Sequence, residues 1–306
     1  MEEQGNNMEN EPKPDERTEE VEEATAAPEA AQAAVADPAA AAETPPWRPS
    51  PPQIHRYKSP EAIAEAAAKR FLTAAERAVN ATGRFIVALA GGSTPRLLYR
   101  TLAESPYREK LPWAKTLFVF GDERCVAPDD EASNYRMARE TLFEPLEIPE
   151  HHVFRMKGEQ PPAEAAQRYE VRLSDLFLGE KRRHFDLVLL GIGTDGHTAS
   201  LFPGTEALDE KARWAVANHV PHLDTWRLTL TFPALNSARR VVFLATGEEK
   251  AQVIAEAFGG VEHPEPHPCE RVAPFHARRE VLLDHAAASL MPAEKPEGES
   301  ETAPNS

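Results

Sequence analysis

Cysteine is almost absent: Cys125 and Cys269 are the only two in 306 residues, too few for a disulfide framework or a four-cysteine zinc site. Both are expected to be ordinary reduced thiols. Long apolar runs are missing too. None reaches the roughly 18 residues of a membrane-spanning helix, and the N-terminus has no apolar signal-peptide core, so the expected compartment is the cytoplasm. Positive charge is scarce, with 34 Lys and Arg against 50 Asp and Glu and a net charge of −16. That balance argues against a nucleic acid or a membrane surface as partner, because either calls for a basic patch. His263, His267 and Cys269 cluster, but the intervening His-Pro-Glu-Pro-His-Pro is a stiff turn without a known zinc spacing, and no metal is expected there.

The acidic residues are unevenly spread. Residues 1–50 hold thirteen of them against Lys13, Arg17 and Arg48, with Ala and Pro filling most of the rest. Few residues there could build a core, so 1–53 is expected to be a disordered acidic arm, with 292–306 a shorter tail of the same kind. Residues 54–291 remain for one α/β domain.

Within that domain the informative stretch is Phe185 to Gly204, FDLVLLGIGTDGHTASLFPG. Asp186 to Leu190 is a short apolar run with the pattern of a strand buried on both faces. The turn after it carries Gly191, Gly193 and Gly196 for close backbone approach, and Asp195 and His197 place an acid and an imidazole two residues apart. Two other strands open in the same manner. Phe85 to Ala90 runs into Gly91-Gly92-Ser93-Thr94-Pro95, where Thr94 is expected to cap a helix opened by Pro95, leaving free amides over the glycines as an anion site. Thr116 to Phe120 runs into the charged turn Gly121-Asp122-Glu123-Arg124. Parallel strands would bring all three loops to one sheet edge, where open α/β sheets bind small molecules.

Elsewhere, Ser59-Pro60-Glu61 starts a helix that ends at Gly83, Ser133-Asn134 starts another through Leu142, and Pro162 to Leu178 a third. Val153 to Arg155, Trp226 to Phe232, Val241 to Ala245 and Glu280 to Leu283 read as strands, with a last helix in the alanine-rich end. Arg227 stands early in a strand, and Lys250 in the first turn of a helix, where its charge opposes the dipole unless an anion sits nearby. The alternation of strands and helices predicts an α/β fold with a largely parallel sheet.

Four segments, ALAGGSTPRLLYRTL, FGDERCVAPDDEASNYRMARETLF, LGIGTDGHTASLFPG and RLTLTFPALNSARRVVFLATGEEKA, resemble the 6-phosphogluconolactonases in this order, across essentially all of Ile54 to Leu290. The resemblance implies a modified Rossmann-like, doubly wound sheet with helices on both faces, shared with glucosamine-6-phosphate deaminases. It implies hydrolysis of 6-phospho-D-glucono-1,5-lactone in the oxidative pentose phosphate pathway, with a sugar phosphate as partner, no cofactor, and a monomer or weak homo-oligomer. His197 would be the general base paired with Asp195, and Asp122 and Arg124 would line the lactone end. Gly91, Gly92, Ser93 and Thr94 would hold the phosphate, Arg227 and Lys250 would add positive charge, and Asn134 would contact a hydroxyl. A lactone is an activated ester, so water and a positioned base suffice, and no Gly-x-Ser-x-Gly nucleophile elbow is present.

Two rivals frame that reading. In the deaminases the Asp-Gly-His turn continues toward Asn-Glu-Pro and the second motif reads Asp-Glu-Tyr, where this chain has Leu201-Phe202-Pro203 and Asp122-Glu123-Arg124. A non-catalytic sugar-phosphate sensor would bind without turnover. Pro268-Cys269-Glu270-Arg271 departs from the small-residue segment usual in the family. With Cys125 directly after Asp-Glu-Arg, the alternative to two ordinary thiols is a pair lying by the expected site and open to oxidation.

Overall fold

The computed structural model describes residues 51–179, 183–261, 263–274 and 278–292. The expected acidic arm up to residue 50 and the tail beyond Pro292 lie outside them. In chain order the elements are β1 (Gln53–Tyr57), α1 (Pro60–Thr82), β2 (Phe85–Leu89), α2 (Ser93–Leu102), α3 (Tyr107–Lys110), β3 (Thr116–Phe120), β4 (Asp122–Arg124), α4 (Asn134–Ala138) and β5 (Val153–Phe154). They continue with α5 (Pro162–Leu176), β6 (Leu187–Leu190), β7 (Ala215–Val220), β8 (Thr225–Leu230), α6 (Phe232–Leu235), β9 (Arg240–Ala245), α7 (Ala251–Phe258) and β10 (Arg278–Asp284).

Seven strands form one sheet in the order β1-β10-β9-β6-β2-β3-β5, and every registered neighbour pair in it is parallel. The middle strands β2 and β6 are buried at every position, as a sheet covered on both faces requires. α1 shows how the cover is made. The Ser59 hydroxyl accepts from the Ala62 amide at 3.3 Å and Gly83 ends the helix in the left-handed region at φ 81°. Between them Ile63, Phe71 and a row of alanines are buried, and Phe71 meets Phe85 of β2 edge-on with centroids 5.2 Å apart.

From β2 the chain winds outward through β3 to β5, then returns to the other side of β2 and winds outward through β6, β9 and β10. The reversal between β2 and β6 is a topological switch point, where the loops leaving two adjacent parallel strands diverge and open a crevice.

A second sheet, β4-β8-β7, is antiparallel. Gly121 joins it to the first: its N–H donates to the Leu89 carbonyl and its own carbonyl accepts from Leu230, both at 2.8 Å. Two expectations change. Asp122-Glu123-Arg124, expected as a charged turn, is a strand; Trp226 to Phe232 ends as a strand at Leu230 and belongs to the small sheet, paired there with Ala215 to Val220, a strand not expected from the sequence. The alanine-rich end after β10 forms turns where a helix was expected. No helix among the described residues is long and apolar enough to cross a membrane.

Candidate active site

The crevice at the switch point is a pocket of about 280 Å³ whose walls include Gly91, Gly92, Ser93, Thr94, Asp122, Arg124, Asn134, Gly193, His197 and Lys250. Nine of the eleven residues singled out from the sequence therefore share one cavity; Asp195 and Arg227 stand just outside its walls.

The turn after β6 presents His197. Its Nδ1 lies 2.5 Å from Asp195 Oδ1, and its backbone N–H donates to the same oxygen at 3.1 Å. An ionised carboxylate can only accept, so Nδ1–H is the donor in this pair, and in the neutral ring Nε2 carries the lone pair. Burial raises the Asp195 carboxyl, but the hydrogen bond and charge of His197 outweigh it and hold the group below its ordinary value. The ring is clamped on its other face by Phe202, stacked at 4.1 Å. Gly193 leaves it room: a Cβ there would fall 2.1 Å from His197 Nδ1.

The turn after β2 presents backbone. α2 begins two residues earlier than the sequence suggested, with Gly92 at its cap in the left-handed region (φ 101°) and no side-chain cap. Thr94 is not the cap. Its buried hydroxyl lies 2.9 Å from that of Thr246 at the end of β9, tying the two loops, while Ser93 is exposed to the cavity. The amides of Ser93 and Thr94 head the helix without helical partners. Lys250, at the start of α7, faces the same cavity, and burial pulls its ammonium below the ordinary lysine value.

β4 supplies the third wall. Strand alternation puts Asp122 and Arg124 on one face and Glu123 on the other. Asp122 is 9% exposed, and both its oxygens are engaged: Oδ2 accepts from Ser200 Oγ at 2.7 Å and Oδ1 from Asn134 Nδ2 at 3.1 Å. Asn134 in turn packs against the first loop, since a Cβ on Gly91 would fall 2.0 Å from its Oδ1. Arg124 donates to the Ala132 carbonyl. Arg227 is its cross-strand partner, but its guanidinium turns to Thr225 Oγ1 and the Trp226 carbonyl, at 3.0 and 3.1 Å. Burial and the charge of Arg124 lower its affinity for its proton.

Several residues escaped the sequence reading. Glu123, taken with its neighbours as one charged run, caps α4 by accepting from the amides of Asn134 at 2.7 Å and Tyr135 at 2.8 Å. Ser200 and Phe202 sit inside the quoted Thr-Ala-Ser-Leu-Phe-Pro-Gly stretch, yet only the distances single them out. The structure weighs against the oxidation-sensitive alternative for the thiols: burial pushes Cys125 up to about 11 and Cys269 up to about 12, Cys269 is fully buried, and Cys125 lines a separate depression beside Trp226. Neither is an accessible thiolate at neutral pH.

Comparison with known proteins bears on this geometry. Residues 58–282 match the family model described as glucosamine-6-phosphate isomerases/6-phosphogluconolactonase. A 6-phosphogluconolactonase of Haemophilus influenzae is 37% identical over 205 residues, 67% of this chain and 87% of that protein. The human 6-phosphogluconolactonase is 38% identical over 250 residues, covering 79% and 95% of the two chains. The solved structure of 6-phosphogluconolactonase from Trypanosoma cruzi superposes with a TM-score of 0.69 at 30% identity, over 79% of this chain and 98% of that one. With a family model spanning most of the folded residues and relatives matched along nearly their whole length, the chain belongs to the glucosamine-6-phosphate isomerase/6-phosphogluconolactonase family.

Proposed function

We propose that the protein is a 6-phosphogluconolactonase, hydrolysing 6-phospho-D-glucono-1,5-lactone to 6-phospho-D-gluconate in the oxidative pentose phosphate pathway, with His197 as general base. The observation that carries the reading is one cavity holding an Asp195-paired imidazole beside a helix N-terminus and a half-buried lysine. That set suits an electrophile carrying a dianion a few bonds away.

In this mechanism the substrate phosphate sits on the Ser93 and Thr94 amides with Lys250 opposite, and the lactone carbonyl points toward Arg124. Water attacks the carbonyl carbon as His197 Nε2 takes its proton. The carbonyl electrons move to oxygen, where Arg124 stabilises the charge. Collapse re-forms the carbonyl and breaks the ring C–O bond, and the imidazolium returns its proton to the departing ring oxygen. Asp195 holds the ring and stabilises its charged form, as the acid member of a triad does. Asp122, with both oxygens occupied, positions Ser200 and Asn134. Arg227 contributes field from beyond the pocket wall.

The test is 6-phosphogluconate formation from freshly generated lactone, measured above the spontaneous rate, for the protein and for His197→Ala. Acceleration lost in the variant supports both reaction and base. Ammonia release from glucosamine 6-phosphate, with no acceleration of lactone hydrolysis, would overturn the reading in favour of a deaminase. Ligand binding with neither turnover would favour a sensor.

A further inference from the structure

The segment between α7 and β10 packs behind the His197 turn. Its Cys269 N–H donates to the Gly196 carbonyl at 3.0 Å, and the His267 ring lies so close that a Cβ on Gly196 would meet its Nδ1 at 2.5 Å. His263 stacks on His267 with centroids 4.8 Å apart and planes 17° from parallel. Cys269, grouped with these histidines in the sequence, is buried out of reach, and Glu270 stands in its place. One nitrogen from each histidine and one Glu270 oxygen lie within 4.8 Å of one another.

We propose that His263, His267 and Glu270 form a binding site for a zinc-class divalent cation, and that its occupation lowers turnover at the neighbouring catalytic turn. Two imidazoles and a carboxylate, with water in the fourth position, are a donor set that borderline divalent ions favour. His263 Nε2 and Glu270 Oε1 are 3.3 Å apart, matching the edge of about 3.3 Å for a tetrahedron with metal–ligand bonds of about 2.0–2.1 Å. An outer partner is in place: Glu256 Oε2 lies 2.8 Å from His267 Nε2, the contact by which a carboxylate orients a ligating imidazole and raises its basicity. The Glu265 carbonyl, 2.8 Å from His263 Nδ1, leaves Nε2 as that ring's available nitrogen, and Glu256 leaves Nδ1 as that of His267; a shared ion requires the stacked rings to tilt from their 17° alignment while the His263–Glu270 edge is kept. Arg271, the cation nearest in sequence, lines the same depression, but its guanidinium is engaged by the Leu208 carbonyl at 2.7 Å and the Phe232 ring at 4.4 Å.

Asp195 borders the same depression as His263 and His267. A dication there draws on the carboxylate that serves His197 and makes the imidazole a poorer base. This consequence rests on the proposed role of His197; the binding itself does not.

The experiment titrates the full-length, metal-stripped chain with zinc ions against a chromophoric chelator. One equivalent is expected in the protein and in His197→Ala, lost in His263→Ala and Glu270→Gln, and weakened about tenfold or more in Glu256→Gln. Cobalt in place of zinc should give the visible absorption of a four-coordinate ion. Lactone turnover should fall with zinc in the unaltered protein and stay constant in His263→Ala, whose metal-free rate is unchanged. Absence of a stoichiometric site, or one indifferent to His263→Ala and Glu270→Gln, overturns the proposal. Inhibition that persists in His263→Ala, or occupation without inhibition, overturns the coupling. If no lactonase activity exists, the titration still decides the site.

Discussion

Gly193→Ala isolates the positioning of His197 from its chemistry. The new Cβ would stand 2.1 Å from His197 Nδ1 and 2.7 Å from Asp195 Oδ1. Ordinary contact begins near 3.4 Å, so the ring or the turn must retreat by about 1.3 Å, and displacements of about 1 Å cost on the order of 10²-fold in rate. Gly193 does not occupy the left-handed region, so backbone strain adds nothing and the fold should survive. Phe202 behind the ring blocks simple retreat, which makes loss of the Asp195 contact the expected outcome. We therefore expect kcat on 6-phosphogluconolactone to drop about 10²-fold, with thermal midpoint and 6-phosphogluconate affinity close to those of the unaltered chain, because the α2 N-terminus is untouched. Single-turnover kinetics on fresh lactone, with calorimetric binding of the product, reads both. A stable variant that keeps kcat within about threefold would refute the claim that this geometry fixes the base.

Other perturbations reach the remaining walls. In Gly91→Ala a Cβ would fall 2.0 Å from Asn134 Oδ1, so product affinity should weaken while the zinc-free far-ultraviolet spectrum stays unchanged; unaltered affinity would separate Asn134 from the phosphate loop. Lys250 has its pKa lowered by burial, so its charge is present below the lowered value and lost as pH rises through it. Affinity for 6-phosphogluconate should thus decline on the acid side of the ordinary lysine value of about 10.4, and Lys250→Gln should flatten that decline; an identical profile in both would remove Lys250 from the phosphate site. Tyr99 is fully buried, donating to the Ala90 carbonyl at 2.8 Å and accepting from its N–H at 3.0 Å. Tyr99→Phe strands both groups just before the loop and should cost about 1–3 kcal/mol in urea unfolding. Unchanged stability would mean the loop relaxes to satisfy them.

How much was legible in the sequence depended on the element. The three strand-to-loop junctions at Gly91, Gly121 and Gly191 were readable because a strand buried on both faces leaves an unbroken apolar run and glycines mark its end. Their convergence followed from parallel pairing alone. The small sheet was not readable. β4 is three consecutive charged residues, and charge runs are mostly solvated, so nothing local distinguishes a buried Glu123 that caps α4 from an exposed one. Once Asp122–Arg124 is a strand, the division of labour follows from period two: Asp122 and Arg124 face the cavity and Glu123 faces away. Thr94 misled for a related reason. Its place before Pro95 suits a cap, but the hydroxyl is held by Thr246, 152 residues away, a partner no local pattern can supply.

Asp122 explains why these separate segments behave as one site. A carboxylate that takes Ser200 from the turn after β6 on one oxygen, and Asn134 from α4 on the other, crosses the crevice at the switch point. Asn134 then meets Gly91, which opens the loop proposed to hold the phosphate. The turn carrying the proposed base and the turn proposed to bind the phosphate are thus braced through a single buried group on the second sheet. Removing that group leaves the buried Ser200 hydroxyl without its acceptor, at a cost of about 1–3 kcal/mol, and leaves the Asn134 amide only the Asp122 backbone carbonyl at 3.0 Å. Asp122→Ala should therefore lower both kcat and product affinity, where His197→Ala lowers kcat alone. A phosphate affinity unchanged in Asp122→Ala would mean that the two turns hold their places independently, each on its own parallel strand.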